Sequence, residues 1–395
     1  MVKVERPKIG DDTRAFGPPF LDAKPGLASQ QSTSTYFLST NRNKRALSVD
    51  MKHKRGRDII LQLAQWADVV VENSVPGKMD DMGLGYKHMQ QVNPDLIYAS
   101  ISGYGHEGPK SKLPAYDSVI TAAAGLMSVT GERTGPPVRP GVALVDQMAG
   151  MFMHGAIVQA LFARSRGAGG ALLTTSLFET QLATMANVAS AAANAGVDGQ
   201  RWGTEHASIA PHKVFKASDG QFFFLAAFND AQFARMAELL GSDGTVVAFG
   251  DGARTVDCTK NSERVQHKEG MAAWIQDRLE GGSPSGNSPD FKSLTRDQVV
   301  AAFTEQNIPC APVNTVKQAL EDEQSVSLGM VQNVDGHAAL GSYAAVRHPV
   351  RINGQIAPIR RAAPTTGQHT REVLQELTNL TAGDIETCFR EGVVE

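Results

Sequence analysis

The 395-residue chain has only three cysteines, Cys258, Cys310 and Cys388, and none stands in CxxC spacing. That excludes a disulfide framework and a thiolate zinc site, and it points to a reducing, intracellular compartment. No GxxxxGK(S/T) loop occurs, so that phosphate cradle is missing. No constellation of metal-ligand spacing is present, and no metal is expected. Charge is nearly balanced, 38 Lys and Arg against 41 Asp and Glu for a net −3, which argues against a nucleic-acid partner. No apolar run reaches the ~18–20 residues that span a bilayer. The longest candidate, Gln147–Ala163, is broken by His154, Gln159 and small residues and reads as a core helix, so no membrane is expected. No signal peptide is visible at Met1.

What the chain does hold is concentrated between Ile101 and Gly155, where ISGYGHEGP, PAYDSV, GLMSVTG and VRPGVALVDQMAGMFMHG follow one another. Val142–Val145 is a short apolar run with β-branched residues, predicted as extended, and Gln147–Ala163 is an uncharged stretch predicted as a buried helix. Asp146 lies at their junction. An Asp there accepts hydrogen bonds from free N–H groups of the first helical turn, and the helix dipole favours its ionised form. A plain N-cap asks for no more than that. Gly141, Gly150 and Gly155 support a second reading, because they clear side chains from the backbone near Asp146 and allow close approach of a bulky ligand. A carboxylate nucleophile needs that open approach.

Residues 1–195 alternate strands and helices, with Asp68–Glu72 and Ile97–Ser102 as short apolar strands and Arg57–Ala67 as a helix. This is an α/β pattern with a mostly parallel sheet. Strands ending near Val49 and Val71 would open into loops at the carboxyl edge, where such sheets bind ligands. Residues 42–57 carry seven cations, Arg42, Lys44, Arg45, Lys52, Lys54, Arg55 and Arg57, against Asp50, a run that reads as a solvated face, or as a nucleic-acid contact that the net charge argues against. Between about 200 and 300, KVFKASDGQFFFLAAF is predicted as a hairpin turning at Ser218–Gly220, with helices at Ala231–Leu240 and Met271–Leu279. Gly281–Asp290 reads as a flexible insertion, and Cys310 as a small buried packing residue.

Six segments in register carry a family resemblance: KVERPKIGDDTRAFGPPF from Lys3, NRNKRALSVDMK from Asn41, ADVVVENSVPGKMDDMGLGY from Ala67, GYGHEGP from Gly103, AYDSV from Ala115 and VALVDQMAG from Val142. Together they resemble the family III (CaiB/BaiF type) CoA-transferases, a group that includes 2-methylacyl-CoA racemases. VPGKMDDMGLGY, VRPGVALVD and RWGTEHASIAPHKVF are most similar to its succinyl-CoA:glutarate branch. The resemblance implies a large Rossmann-like CoA-binding domain over 1–195, a smaller α+β domain over 196–305 and a return segment over 306–395. It also implies a homodimer of subunits threaded like linked rings.

For the chemistry, the resemblance implies that Asp146 attacks an acyl-CoA to give a mixed anhydride and then an aspartyl–CoA thioester. CoA would be a substrate, with no permanent cofactor, and the partners an acyl-CoA and a short dicarboxylic acid. CoA would be met by Arg6, Val49, Asp50, Met51, Lys52, Asn73, Ser74, Val75, Tyr116 and Asp117. At the place of Tyr116 the racemases carry a proton-shuttling His, and a phenol near pKa 10 serves that role poorly. Tyr116 as a buried tyrosine and Asp117 as a helix cap are the alternatives. A second carboxylate is best held by paired N–H donors; Arg139, then Arg201 and the His206/Ser208 pair, are the candidates, with structural contacts as the alternative.

Two departures from the family pattern stand out. Family members carry a strand–helix unit of roughly thirty residues before the KVERP strand, which leaves a non-catalytic CoA-binding relative as a further alternative to transferase and racemase. A mitochondrial leader would lie in the same place. The glycine-rich loop of the formyl-CoA branch has no counterpart, leaving Gly203–Ala207 to cover the site, and Asp81 stands where that branch has an arginine.

Overall fold

The computed structural model describes residues 1–242, 246–249, 254–281 and 289–395, with backbone alone for 246–249, 254 and 255. The chain forms two compact units, one of residues 1–124, 142–185 and 319–395, the other of residues 125–141 and 186–318. Residues 125–141, expected with the large domain, therefore group with the smaller unit, and the return into the first unit comes at 319 rather than 306.

The first unit is a mixed α/β structure with parallel sheets. Strand β1 (Val2–Glu5) pairs in parallel with β2 (Arg45–Ser48), from Val2 opposite Arg45 to Glu5 opposite Ser48. Helix α1 (Lys54–Trp66) leads to β3 (Val69–Glu72), and α2 (Tyr86–Val92) leads to β4 (Ile97–Ser102). The apolar residues of α1 fall on one stripe, with Ile59, Ile60, Leu63 and Ala64 buried, so packing rather than propensity holds the helix. Helices α3 (Asp117–Ala123) and α4 (Leu144–Ser165) precede β5 (Ala171–Ser176), which α5 (Leu177–Thr184) follows directly. The order β3-β4-β5 is parallel throughout. As the central strand, β4 is buried along nearly its whole length, which is why IYASIS lacks the apolar/polar alternation of an exposed strand.

Helix α4 corrects two expectations. It starts at Leu144, so Val142–Val145 is not extended and Asp146 is the third residue of the helix rather than its N-cap. Nor is Gln147–Ala163 a core helix. Val145, Ala149 and Met153 are buried, whereas Met151, Phe152, Val158 and Phe162 are exposed, because β4, β5 and α5 cover one side of the helix and nothing in its own unit covers the other. At its far end Arg164 donates to Asp68 Oδ1 at 2.6 Å and to the Asp95 carbonyl at 3.0 Å, fixing the helix below the amino ends of β3 and β4. Among the described residues no helix is long and apolar enough to cross a membrane.

In the second unit, β6 (His212–Lys216) and β7 (Phe222–Ala226) form the expected hairpin, turning at Gly220 with φ +81°, a conformation that favours glycine. Strand β8 (Cys310–Pro312) pairs with the other edge of β7. Cys310 is half-buried there, and burial pushes its thiol up to about 12. Helices α6 (Asp230–Leu239), α7 (Lys268–Gly281) and α8 (Arg296–Glu305) enclose a core of Phe215, Phe223, Phe233, Trp274, Phe291 and Phe303. Most of the Gly281–Asp290 insertion lies outside the described residues. Arg264 is fully buried in this unit. Its guanidinium donates to the carbonyls of Ala210 (2.8 Å), Cys258 (2.9 Å) and Thr259 (3.0 Å) and to Asp230 Oδ1 (2.8 Å), and it lies 4.6 Å over the Phe233 ring. The guanidinium holds the Asp230 carboxyl below its ordinary range.

The chain then returns through the hairpin of β9 (Val331–His337) and β10 (Gly341–Val346) to α9 (Thr370–Leu377) and α10 (Ala382–Arg390). Val373, Leu374, Ile385 and Cys388 of these helices complete the core around Leu47, Ile59, Leu63, Leu96 and Tyr98. The return also closes the free edge of β2. Ala46 N–H donates to His369 Nδ1 at 3.2 Å, His369 N–H donates back to the Ala46 carbonyl at 3.0 Å, and Ser48 N–H donates to Thr370 Oγ1 at 3.1 Å.

Replacing Arg264 with Lys keeps the charge but cannot reach three carbonyls at once. Hydrogen bonds from a charged donor contribute about 1.5–3 kcal/mol each, so Arg264→Lys is expected to destabilise the protein by about 3 kcal/mol in urea unfolding. An unchanged midpoint would show that these carbonyls find other donors.

Candidate active site around Asp146

Helix α4 enters its first turn without a local cap. Ala143 occupies the N-cap position and has no side-chain acceptor. The acceptor comes from α3, where Asp117 Oδ2 takes the Val145 N–H at 2.9 Å. Asp117 is 7% exposed, and its Oδ1 is buried with no hydrogen-bond partner. Ile120, Ala124 and Val145 pack beside it against Tyr104, Ala115, Leu177 and Phe178. Gly103 makes this approach possible, since a Cβ there would lie 2.2 Å from the Cβ of Ala115.

One residue beyond Val145, Asp146 is exposed, and its carboxylate makes no hydrogen bond with the described residues. The surrounding protein, and then the negative charge of Asp117, push its carboxyl above the ordinary carboxylate range. A Cβ at Gly141, Gly150 or Gly155 would meet open space, so the surface around Asp146 is clear in this chain. Tyr116 stands at the start of α3 and is 72% exposed, not buried, with no capping bond from its side chain.

The other residues expected to meet CoA lie at the carboxyl ends of β2 and β3. Val49 is buried and its N–H donates to the Glu5 carbonyl at 2.9 Å. Asp50 Oδ1 accepts from Lys52 N–H at 2.9 Å, shaping a loop that runs into α1 with Met51 half-buried. Gly56 is required at that junction, because a Cβ would fall 1.9 Å from the Asp50 carbonyl oxygen. Exposed Arg6 pairs with Asp12. After β3, Ser74 N–H donates to Glu72 Oε2 at 2.7 Å, while Asn73 and Val75 are exposed. A cavity of about 160 Å³ opens here, lined by Glu72, Val75, Tyr86, Tyr98, Ser100 and His106. Burial, with the charges of Glu72 and Asp80, raises the Tyr98 phenol.

The basic run of 42–57 divides between two tasks. Arg45 pairs with Glu372 and Glu376, and Arg55 with Glu391, tying the run to α9 and α10, while Lys54 pairs with Asp58 along α1. Lys44 is half-buried, donates to Asn41 Oδ1 at 3.0 Å, and has its pKa lowered to about 8 by burial and then by Lys3. Arg57 donates to the Lys52 carbonyl at 2.6 Å, and Lys52 itself extends into solvent.

The carboxylate-clamp candidates all belong to the second unit. Arg139 is exposed and forms no side-chain hydrogen bond or ion pair with the described residues. Arg201 donates to the carbonyls of Glu132 (3.3 Å) and Ser128 (3.4 Å). His206 Nδ1 accepts from Ser208 N–H at 3.1 Å, and its ring lies 5.3 Å from that of His212. Burial, followed by His212 and Lys268, keeps His206 below its ordinary pKa. Sequence reasoning missed the surroundings of this segment. Trp202 carries Arg133 at 4.7 Å and Lys268 at 4.2 Å over its ring, beside a cavity of about 480 Å³. The tryptophan in RWGTEH was the one visible signal; nothing in the sequence ties it to Arg133 or Lys268.

The model of CoA-transferase family III matches residues 1–370. The chain belongs to that family. This family III CoA-transferase is 39% identical over 397 aligned residues to an acyl-CoA transferase of Fusarium pseudograminearum, covering 100% of this chain and 82% of that protein. It is 35% identical to the succinyl-CoA:glutarate CoA-transferase of Mus musculus, over 100% of this chain and 84% of the relative. Among solved structures, a CaiB/BaiF family protein from Brucella suis superposes with a TM-score of 0.80 at 32% identity, over 95% of this chain and 91% of that one. The family III CoA-transferase thus has the α/β fold of its relatives, and its expected fold class holds.

Gly56→Ala would push a Cβ into the backbone of the 49–52 loop. Overpacking of this kind costs about 1–3 kcal/mol, so a corresponding drop in urea stability is expected. No drop would mean that α1 can start elsewhere without loss.

Proposed function

We propose that this protein transfers CoA from succinyl-CoA to glutarate or a similar short dicarboxylate, with Asp146 as the covalent nucleophile. The observation that carries the reading is an exposed carboxylate, without a hydrogen bond to the described residues, on the first turn of α4 in a family III CoA-transferase. The names of its relatives support the choice of acids. The ionised oxygen of Asp146 attacks the thioester carbonyl and expels CoA thiolate, leaving an acyl–aspartyl anhydride. The thiolate then attacks the aspartyl carbonyl, releases the first acid as its carboxylate and forms an aspartyl–CoA thioester. Attack by the acceptor carboxylate on that thioester frees the thiolate again, which takes the acceptor acyl group and restores Asp146. Each step exchanges species of comparable energy, the advantage of covalent catalysis. Keeping the thiolate beside the anhydride is an effect of position worth about 7–11 kcal/mol at best.

In this reading CoA is met by the exposed members of the carboxyl-edge loops, Lys52, Asn73 and Val75, by the Asp50–Met51 backbone, and by Arg6 and Tyr116. Arg139 is the first choice for the second carboxylate, because it alone of the clamp candidates has a guanidinium not engaged by its own unit. The uncovered apolar side of α4, with Met151, Phe152 and Phe162, supports a homodimer in which a second copy covers the helix.

Mass spectrometry of the protein with succinyl-CoA and glutarate should detect glutaryl-CoA, and Asp146→Ala should lower its formation roughly 10⁴-fold or more. Wild-type turnover in the variant would remove the mechanism. Solvent deuterium entering the α-position of an acyl-CoA with no acceptor acid present would point to the racemase chemistry instead. Because the nucleophile must be ionised and its pKa is raised, kcat/KM should fall with decreasing pH at a point above the ordinary carboxylate range. An acid limb at or below that range would contradict the role of Asp146.

A further inference from the structure

Resting on the reading of Asp146 as nucleophile, we infer that Asp117 is its positioning residue: from α3, Asp117 caps the turn of α4 on which Asp146 stands. The first turn of a helix leaves N–H groups without intrahelical partners, and a side-chain oxygen normally takes one of them. Here Pro140, Gly141, Val142 and Ala143 precede the helix and none has a side-chain acceptor. The Val145 N–H is instead taken by Asp117, twenty-eight positions upstream, at 2.9 Å.

Three further features distinguish this bond from an ordinary cap. Asp117 is more than nine-tenths buried, so its carboxylate is not offered to solvent or to CoA as the family resemblance had implied. The bond joins the residue directly before Asp146, so the departure angle of the nucleophile from the helix is fixed from outside the helix. Asp117 Oδ1 is buried with no partner, and no cation pairs with either oxygen among the described residues. A buried carboxylate with one hydrogen bond is costly, and such exceptions to full pairing gather at functional sites. An asparagine would cap as well without the charge.

Amide hydrogen exchange on the unmodified protein tests the cap without any assay of activity. Val145 N–H should exchange roughly ten- to hundredfold more slowly than the N–H groups of Leu144 and Asp146, which have no carbonyl partner in the helix; equal rates would overturn the proposal. Asp117→Asn, which retains an acceptor, should keep that protection, and Asp117→Ala should lose it. In steady-state assays of folded variants, Asp117→Ala should lower kcat roughly 10–100-fold with KM for the acyl-CoA little changed, and Asp117→Asn should recover at least part of that loss. Full kcat in a folded Asp117→Ala variant overturns the positioning role. Should Asp117→Ala not fold, kcat in Asp117→Asn decides with the exchange data: a loss larger than tenfold with Val145 still protected would assign the effect to charge alone and overturn positioning. Activity surviving in Asp146→Ala while Val145 stays protected would instead remove the nucleophile and leave Asp117 a cap.

Discussion

The first unit depends on one requirement of parallel sheets, that every buried N–H and C=O along a strand finds a partner. Strand β2 meets it with chain from opposite ends of the sequence. On one side lies β1; on the other, His369 and Thr370 supply a ring nitrogen, an amide and a hydroxyl in place of a neighbouring strand. Burial lowers the pKa of His369, which suits an imidazole that accepts through Nδ1. Helices α9 and α10 follow this closure and bury their apolar stripes against α1, so the loop between β2 and α1 is held at the carboxyl edge by residues more than three hundred positions away. Arg45 and Arg55, which reach those helices, belong to the same closure.

The surroundings of Asp146 follow a different logic, in which groups are left unsatisfied. Its carboxylate has no hydrogen bond with the described residues, the glycines near it face open space, and it feels the like charge of Asp117 held inside the protein. None of these gains stability for the fold. They agree with one another if a reacting group and its ligand must reach that carboxylate, which is the proposed use of the site.

Much of this was legible in the chain. The central strand Ile97–Ser102 has the apolar continuity of a strand buried on both faces, and α1 has a clean amphipathic stripe. The hairpin of β6 and β7 is marked by its glycine turn. The start of α4 was not legible. Val142–Val145 is β-branched and apolar, but burial of Val145 beneath α3 and α5, together with the distant cap from Asp117, outweighs local propensity. A helix apolar on every side reads as core, yet its own unit covers only one side. The cations of 42–57 read as one surface and are divided by partners far along the chain, and the grouping of Arg133 and Lys268 over Trp202 joins segments with no common motif.

The two fastenings of α4 turn its length into a measured quantity. Asp117 holds the first turn, and Arg164 holds the last under β3 and β4. The 22 residues between Leu144 and Ser165 make a rod of about 33 Å at 1.5 Å per residue. Adding or removing one residue inside it would change its phase by about 100° along with its length. With the base kept in place, that rotation would carry the Asp146 carboxylate to another side of the helix and take Val145 from the reach of its cap. Insertions tolerable elsewhere in the fold would here disconnect the site from its scaffold, so the helix acts as a gauge whose count cannot drift.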